Sequence, residues 1–399
     1  MLVEFRVQNF RSLRDEQVFS LVASKDKTDL DTHAFQTGLS AVPSVLLSSA
    51  IYGGNASGKS NVIKALQYMR GLVTESASGM QPGQLFQFQP FRLDTQSGEQ
   101  PTTFEVTFLI DGIRYQYGFA MTASRIVSEH LLVYKAFKPQ RWFTRAFDET
   151  LGKDVYEFGA GLKGPKHMWE SATRSNSLFL SMAAQLNSEV LQPVFEWFSQ
   201  KLMIFNEDTP LGPDASIQML LQADRREAVC RFLSAADISI TDIDVQTDAQ
   251  QRRLRFHHVT DQGQAIFELA DESSGTRNLL FLAGPVFNVL DRGLTLVIDE
   301  LDTSLHTLLV RELVRLFHNP AINKAHAQLV FTTHDTSLLN APSLLRRDQV
   351  WLTEKDRDQA TALIGLYEYS PRKNEALERG YLVGRYGGVP LVSQGLGLK

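Results

Sequence analysis

The chain of 399 residues holds a single cysteine, Cys230, so it can close no internal disulfide and build no thiolate zinc site. It lacks any uncharged stretch approaching the ~18–20 apolar residues of a membrane span. The opening run MLVEFRVQNFRSLRDE is charged every few residues, which excludes the apolar core of a secretion signal. Neither sign of charge dominates. Forty Lys and Arg face 45 Asp and Glu, a net charge of −5, so bulk charge does not drive the chain onto nucleic acid, although a local basic groove is compatible with it. There is no internal repeat, no low-complexity tail and no sustained heptad that would make a long coiled-coil arm. What remains is an ordinary globular composition, 43% hydrophobic and 21% charged, with the cytoplasm as the expected location.

The pattern along the chain is mixed. Leu2–Val7 and Val18–Val22 alternate as a hairpin around a turn-like segment from Asn9 to Arg14. Val45 to Tyr52 reads as a buried strand, and Asn61 to Met69 as the helix after it. Residues 76–100, rich in Gly, Gln, Ser and Pro, read as loop; 102–158 is strand-like, with an Asp111-Gly112 turn. Helical patterns follow over Ser177–Gln185, Glu189–Lys201 and Arg225–Ser234, and strands alternate with short helices to a glycine-rich end, residues 380–399. The expected organisation is one split α/β domain: residues 1–165 as an N-terminal lobe with an antiparallel β subdomain, 166–240 as a mostly helical insertion, and 241–399 as the C-terminal lobe.

Between that strand and that helix stands Gly53-Gly54-Asn55-Ala56-Ser57-Gly58-Lys59-Ser60, a complete G-x-x-x-x-G-K-[ST] motif. Glycines let a backbone wrap a phosphate without Cβ clashes, while loop amides and the helix N-terminus supply donors. Lys59 is placed to neutralise β- and γ-phosphates and Ser60 to ligate Mg²⁺; Gly53, Asn55, Gly58 and Asn61 complete the candidate cradle. Leu294 to Ile298 is a second apolar run and ends in Asp299-Glu300. Ligands gather beyond the C-terminal ends of parallel strands, so Asp299 is the candidate metal ligand and Glu300 the candidate base for an attacking water.

Three further elements are less specific. Glu272-Ser273-Ser274-Gly275-Thr276-Arg277 opens a helical segment with an anion-binding composition, but on composition alone the ordinary N-cap and turn is the favoured reading. Leu329 to Thr333 is another apolar run and leads into His334, which is either structural or placed to reach a γ-phosphate. Asp302, in the run after Glu300, reads either as a helix cap or as a reporter of catalysis across an interface. Asp356-Arg357-Asp358 lies between two strand-like segments and is read as a polar hairpin turn, not a metal-binding pair.

The order of phosphate loop, short signature, acidic strand and histidine resembles the ABC-type ATPase heads, the group with RecF, the SMC proteins and the OLD-type nucleases. More narrowly, Asn9-Phe10-Arg11-Ser12, the run Asp299 to His306, the segment Ser177–Ser181 with Trp197-Phe198, and the closing Tyr381 to Pro390 resemble the compact bacterial AAA-family ATPases of the RloA, AbiL and PARIS type, which belong to antiphage defence. The resemblance spans nearly the whole chain. It implies an ABC-type P-loop head that hydrolyses ATP with Mg²⁺, with Lys59 and Ser60 as Walker A residues, Asp299 and Glu300 as the Walker B pair, and His334 as the switch histidine. Ser273 and Gly275 would touch a γ-phosphate held by a second subunit, so that two heads sandwich two ATP molecules. Ser274 and Thr276 depart from the Gly and Gln of many relatives. Gln87 and Gln89 are candidates for the Q-loop glutamine, with Gln89 preferred, and Arg11 is a candidate phosphate contact. OLD-type relatives carry a Toprim nuclease; only 65 residues follow His334 here, so no intrinsic nuclease is expected. The expected role is a sensor or scaffold that controls a separately encoded effector, a toxin or nuclease. The alternative is a RecF-like or SMC-like ATPase that binds DNA. No membrane partner is expected.

Overall fold

A computed structural model describes residues 1–236, 239–247, 252–371 and 375–389. The end of the glycine-rich stretch, including Pro390 of the closing motif, lies outside the described residues.

A six-stranded sheet organises the molecule. Its spatial order is Leu202–Phe205, Thr295–Ile298, Gln328–Thr332, Ser48–Gly53, Val350–Lys355 and Thr361–Gly365. The first five strands run parallel, and the last pairs antiparallel with its neighbour. Three of the central strands are buried at every position, as parallel strands covered on both faces must be. The two-residue period divides them cleanly. Ile51, Val297 and Val330 face one core, while Ala50, Tyr52, Leu296, Ile298, Leu329 and Phe331 face another.

The first core lies between this sheet and a seven-stranded antiparallel sheet built from Leu2–Gln8, Gln17–Ser20 and the five strands from Thr102 to Phe158. The Leu2–Gln8 hairpin with Gln17–Ser20 forms as its alternation predicts. At the Asp111-Gly112 turn both residues have positive φ, 49° and 74°, the conformation that suits the twist of a two-residue hairpin. Helix Lys59–Glu75 fills the same core with Val62, Ile63, Leu66, Met69 and Val73, spaced at helical period. On the other side of the parallel sheet, helices Ser274–Arg292 and Thr307–His318 cover the second core. Among the described residues no helix is long and apolar enough to cross a membrane.

The stretch 166–240 divides between cores. Helices Lys166–Ala172 and Phe179–Gln185, with the turns through Lys201, pack onto the antiparallel sheet. The fully buried Glu129 fixes them: its carboxylate accepts the amides of Phe179 and Leu180 at 2.7 and 3.0 Å and the Tyr117 hydroxyl at 2.9 Å, with Arg145 at 3.7 Å. The chain then contributes Leu202–Phe205 to the edge of the parallel sheet, a strand that four apolar residues after a helical pattern do not announce. Helices Asp214–Leu220 and Ala223–Ser234 belong to a third core, with a three-stranded sheet over Ile240–Thr247, Arg252–Thr260 and Gly263–Glu268.

Candidate nucleotide-binding site

The phosphate loop leaves the C-terminal end of Ser48–Gly53 and enters helix Lys59–Glu75. Gly58 has φ 109°, and a Cβ there would meet Thr361 Oγ1 at 2.2 Å, so only glycine fits. Hydroxyls brace the loop from outside. Ser57 Oγ lies 2.6 Å from Thr353 Oγ1, and Thr361 Oγ1 donates to the Ser57 carbonyl at 2.8 Å. Lys59 is 5% exposed, and its ammonium donates to the carbonyls of Gly53 and Gly54 at 2.9 and 3.1 Å. Burial lowers its pKa below the usual lysine value, while the nearby carboxylates of Asp299, Glu300 and Asp302 oppose that shift.

Residues 55–61, Glu300 and His334 line one pocket of about 470 Å³. Two of these residues come from the adjacent strand ends. Thr332 donates its hydroxyl to Asp299 Oδ1 at 2.6 Å, and Thr332 Oγ1 accepts the Glu300 amide at 2.7 Å. Glu300 has φ 54°, a left-handed turn that ends the strand run. The His334 amide donates to Asp302 Oδ2 at 3.2 Å. Ser60, Asp299 and Glu300 also line a neighbouring cavity of about 300 Å³, together with Asn278 and Leu282 of helix Ser274–Arg292. The glycine cradle, a buried ammonium, and a hydroxyl and carboxylate of hard-oxygen character in one cavity fit a nucleotide carrying Mg²⁺.

The other candidates stand apart from this pocket. Ser273 caps helix Ser274–Arg292: its hydroxyl oxygen accepts the Thr276 amide at 3.1 Å. Gly275 packs against the loop after Glu300, where an added Cβ would lie 3.0 Å from the Ser304 carbonyl. Arg11 and Gln89 grip each other. The Arg11 guanidinium donates to Gln89 Oε1 at 2.5 Å, and the Arg11 amide to the Gln89 carbonyl at 2.7 Å. Both line a cavity of about 610 Å³ along helix Lys59–Glu75, beside the phosphate pocket and not in it. Gln87 lines that cavity as well. Asp356 Oδ1 accepts the amides of Asp358 and Ala360 inside the hairpin joining Val350–Lys355 to Thr361–Gly365, which is the turn that sequence predicts.

Sequence reasoning passed over four hydroxyl residues. Thr332, Thr353 and Thr361 hold the acidic pair and the loop. Ser12 ties the first hairpin to the site: its hydroxyl oxygen accepts from Asn61 Nδ2 at 2.7 Å and lies 2.8 Å from Thr361 Oγ1. The available signal was the placement of Thr332 and Thr353 at the ends of apolar runs next in the sheet to the two motifs.

A phosphate loop and an acidic strand end, separated by one parallel strand in a sheet covered on both faces, define a P-loop nucleotide-binding domain. Residues 48–340 match the family model described as an AAA domain, putative AbiEii toxin, Type IV TA system, and the chain belongs to that family. No curated protein matches it. Among solved structures it is similar to the Smc head domain with an extended coiled coil bound to the C-terminal domain of ScpA from Pyrococcus furiosus. The identity is 12%, with 92% of this chain and 97% of that chain covered and a TM-score of 0.39. It is also similar to the Smc head domain with a coiled coil and joint from Pyrococcus yayanosii, at 10% identity, 95% and 98% coverage and a TM-score of 0.40.

Proposed function

We propose that the protein hydrolyses ATP at sites shared between two copies of itself, and that this cycle controls a separately encoded effector in antiphage defence. One observation carries the first part: Lys59, Ser60, Glu300 and His334 line one pocket, while Ser273 and Gly275 of the same chain lie outside it, with Gly275 beside Ser304. A signature placed there is available to the pocket of a second copy. The defence role is supported by the family's description, which names a toxin system, and by the sequence resemblance.

In this reading the loop amides and Lys59 bind the phosphates and disperse their charge. Ser60 and Asp299 would hold Mg²⁺, which when bound offsets charge on the β- and γ-phosphates. Thr332 fixes the carboxylate of Asp299 and the amide of Glu300 together. Glu300 accepts the proton of the attacking water, and His334 donates to the terminal phosphate. Because a ligand shifts an equilibrium only by its differential affinity, ATP favours the paired state and its hydrolysis releases it.

Subunit mixing tests the shared site. Lys59→Ala and Ser273→Arg chains should each be inactive alone. Mixed, they pair one intact phosphate loop with one intact signature, and ATPase activity returns. A mixture that stays inactive refutes the shared site. Co-purification with the product of the adjacent gene, with and without ATP, tests the effector.

A further inference from the structure

Among the described residues the closing segment contributes none to the phosphate pocket, yet it touches elements on two sides of that pocket. Helix Leu377–Leu382 packs on the turn Thr336–Asn340 that follows His334. There the Thr336 hydroxyl donates to Glu378 at 3.1 Å. The buried Tyr381 ring meets Tyr52 edge-on at 5.9 Å. Tyr52 is the last residue before Gly53, and its hydroxyl donates to the Asp335 carbonyl at 3.3 Å.

The same segment then turns back to the loop side. Gly387 and Gly388 have φ 72° and 70°, a left-handed pair that brings the backbone against the strand Val350–Lys355. A Cβ on Gly387 would meet Glu354 Oε2 at 2.1 Å, and one on Gly388 would lie 3.3 Å from the Thr353 carbonyl. Thr353 is the residue whose hydroxyl holds Ser57 of the phosphate loop. The Tyr381 hydroxyl closes the circuit by donating to the Gly388 carbonyl at 3.0 Å, in a buried position.

We infer that residues 375–389 form a positioning strap, locked by the Tyr381–Gly388 hydrogen bond, that sets the His334 turn and the phosphate loop relative to each other. The inference rests on the ATPase reading above and adds to it a group of positioning residues outside the pocket. Tyr381 acts through Tyr52, Asp335 and Thr353, and touches no reacting atom. A strap of this kind acts on the step that needs both walls in register. The loop's own braces from Thr353 and Thr361 stay in place when the Tyr381 hydroxyl is lost, so that lock should govern turnover and leave affinity alone.

The test uses the full chain and the variant Tyr381→Phe, which keeps the ring and removes the hydroxyl. Losing one neutral buried hydrogen bond should lower kcat roughly two- to ten-fold. KM and the affinity for a fluorescent mant-ATP probe should stay at wild-type values. Thr336→Val, which cuts the second contact from the other side, should give the same kcat-only loss. An unchanged kcat in both variants overturns the strap, and so does a loss seen in mant-ATP affinity instead of kcat. Hydrogen–deuterium exchange of the nucleotide-free protein provides a readout independent of catalysis. Amides of 334–340 should exchange faster in Tyr381→Phe, and unchanged exchange overturns the strap. A wild-type chain that hydrolyses no ATP refutes the ATPase reading instead, and the exchange experiment still decides the strap.

Discussion

The Thr332 hydroxyl donates to the Asp299 carboxylate at 2.6 Å while its oxygen accepts the backbone amide of Glu300 at 2.7 Å. One side chain on the neighbouring strand therefore orients both members of the acidic pair. Thr332→Val keeps the shape and removes both bonds, leaving the part-buried Glu300 amide without its acceptor and the Asp299 carboxylate without its donor. We expect a stability loss of ~1–3 kcal/mol and an ATPase activity reduced at least ten-fold. Denaturant unfolding and a phosphate-release assay check the two effects separately. Wild-type turnover in Thr332→Val would show that Asp299 and Glu300 need no such support.

Glu300 and Lys59 share the pocket but have separable tasks. Glu300→Gln retains size and hydrogen bonding yet cannot accept a proton. Hydrolysis should fall by about 10²–10⁴, the usual value of a general base. ATP should still bind, and an ATP-bound oligomer should accumulate in sizing experiments. Lys59→Ala should instead lose nucleotide binding itself, measured with mant-ATP. Normal hydrolysis by Glu300→Gln removes the carboxylate from the proposed chemistry, and tight binding by Lys59→Ala removes the lysine.

The elements that announce themselves in sequence are those with one dominant local cause. Gly53 to Ser60 reads directly because φ, Cβ space and the helix start each restrict the residue type. Thr295–Ile298 and Gln328–Thr332 read as apolar runs because both of their faces are covered. Leu202–Phe205 was not legible, since four apolar residues carry no decisive period and the strand exists only by pairing with Thr295–Ile298 across some 90 residues of chain. For the same reason Ser12 reads only as part of the turn-like segment from Asn9 to Arg14. Its contacts, Asn61 and Thr361, lie 49 and 349 positions away. The grip of Arg11 on Gln89 is equally hidden, because the two residues lie 78 positions apart and nothing in either segment names the other.

Ser12 links the first hairpin to the site, so its removal should be felt there. Ser12→Ala deprives Asn61 and Thr361 of a shared partner while leaving the Thr361 bond to the Ser57 carbonyl in place. The expected result is a weaker mant-ATP affinity, by roughly two- to ten-fold for the lost hydrogen bonding, with the fold intact by circular dichroism. Unaltered affinity would confine Ser12 to holding the hairpin.

Beneath the phosphate-loop strand, the rings of His33 and His318 stack with centroids 3.7 Å apart, both buried. His318 Nε2 lies 2.8 Å from Ser48 Oγ and 3.3 Å from Gln349 Nε2. Burial holds the His318 pKa well below the ordinary imidazole value of 6.5, and proximity to His33 adds to that. His33 is lowered too, chiefly by burial, with Arg346 acting in the same direction and Asp29 against it. Both imidazoles are therefore neutral in the folded chain under conditions where the unfolded chain protonates them. Stability is complete above pH 6.5 and falls as the pH drops below it, by up to ~1.4 kcal/mol per pH unit for each imidazole. Melting curves between pH 7.5 and 5.5 should show this decline, and His318→Gln, which removes one titrating ring, should show a shallower one. Equal slopes in the two proteins would mean that acid acts elsewhere. A shallower slope would locate the acid sensitivity at the junction where helix Thr307–His318 meets the start of strand Ser48–Gly53.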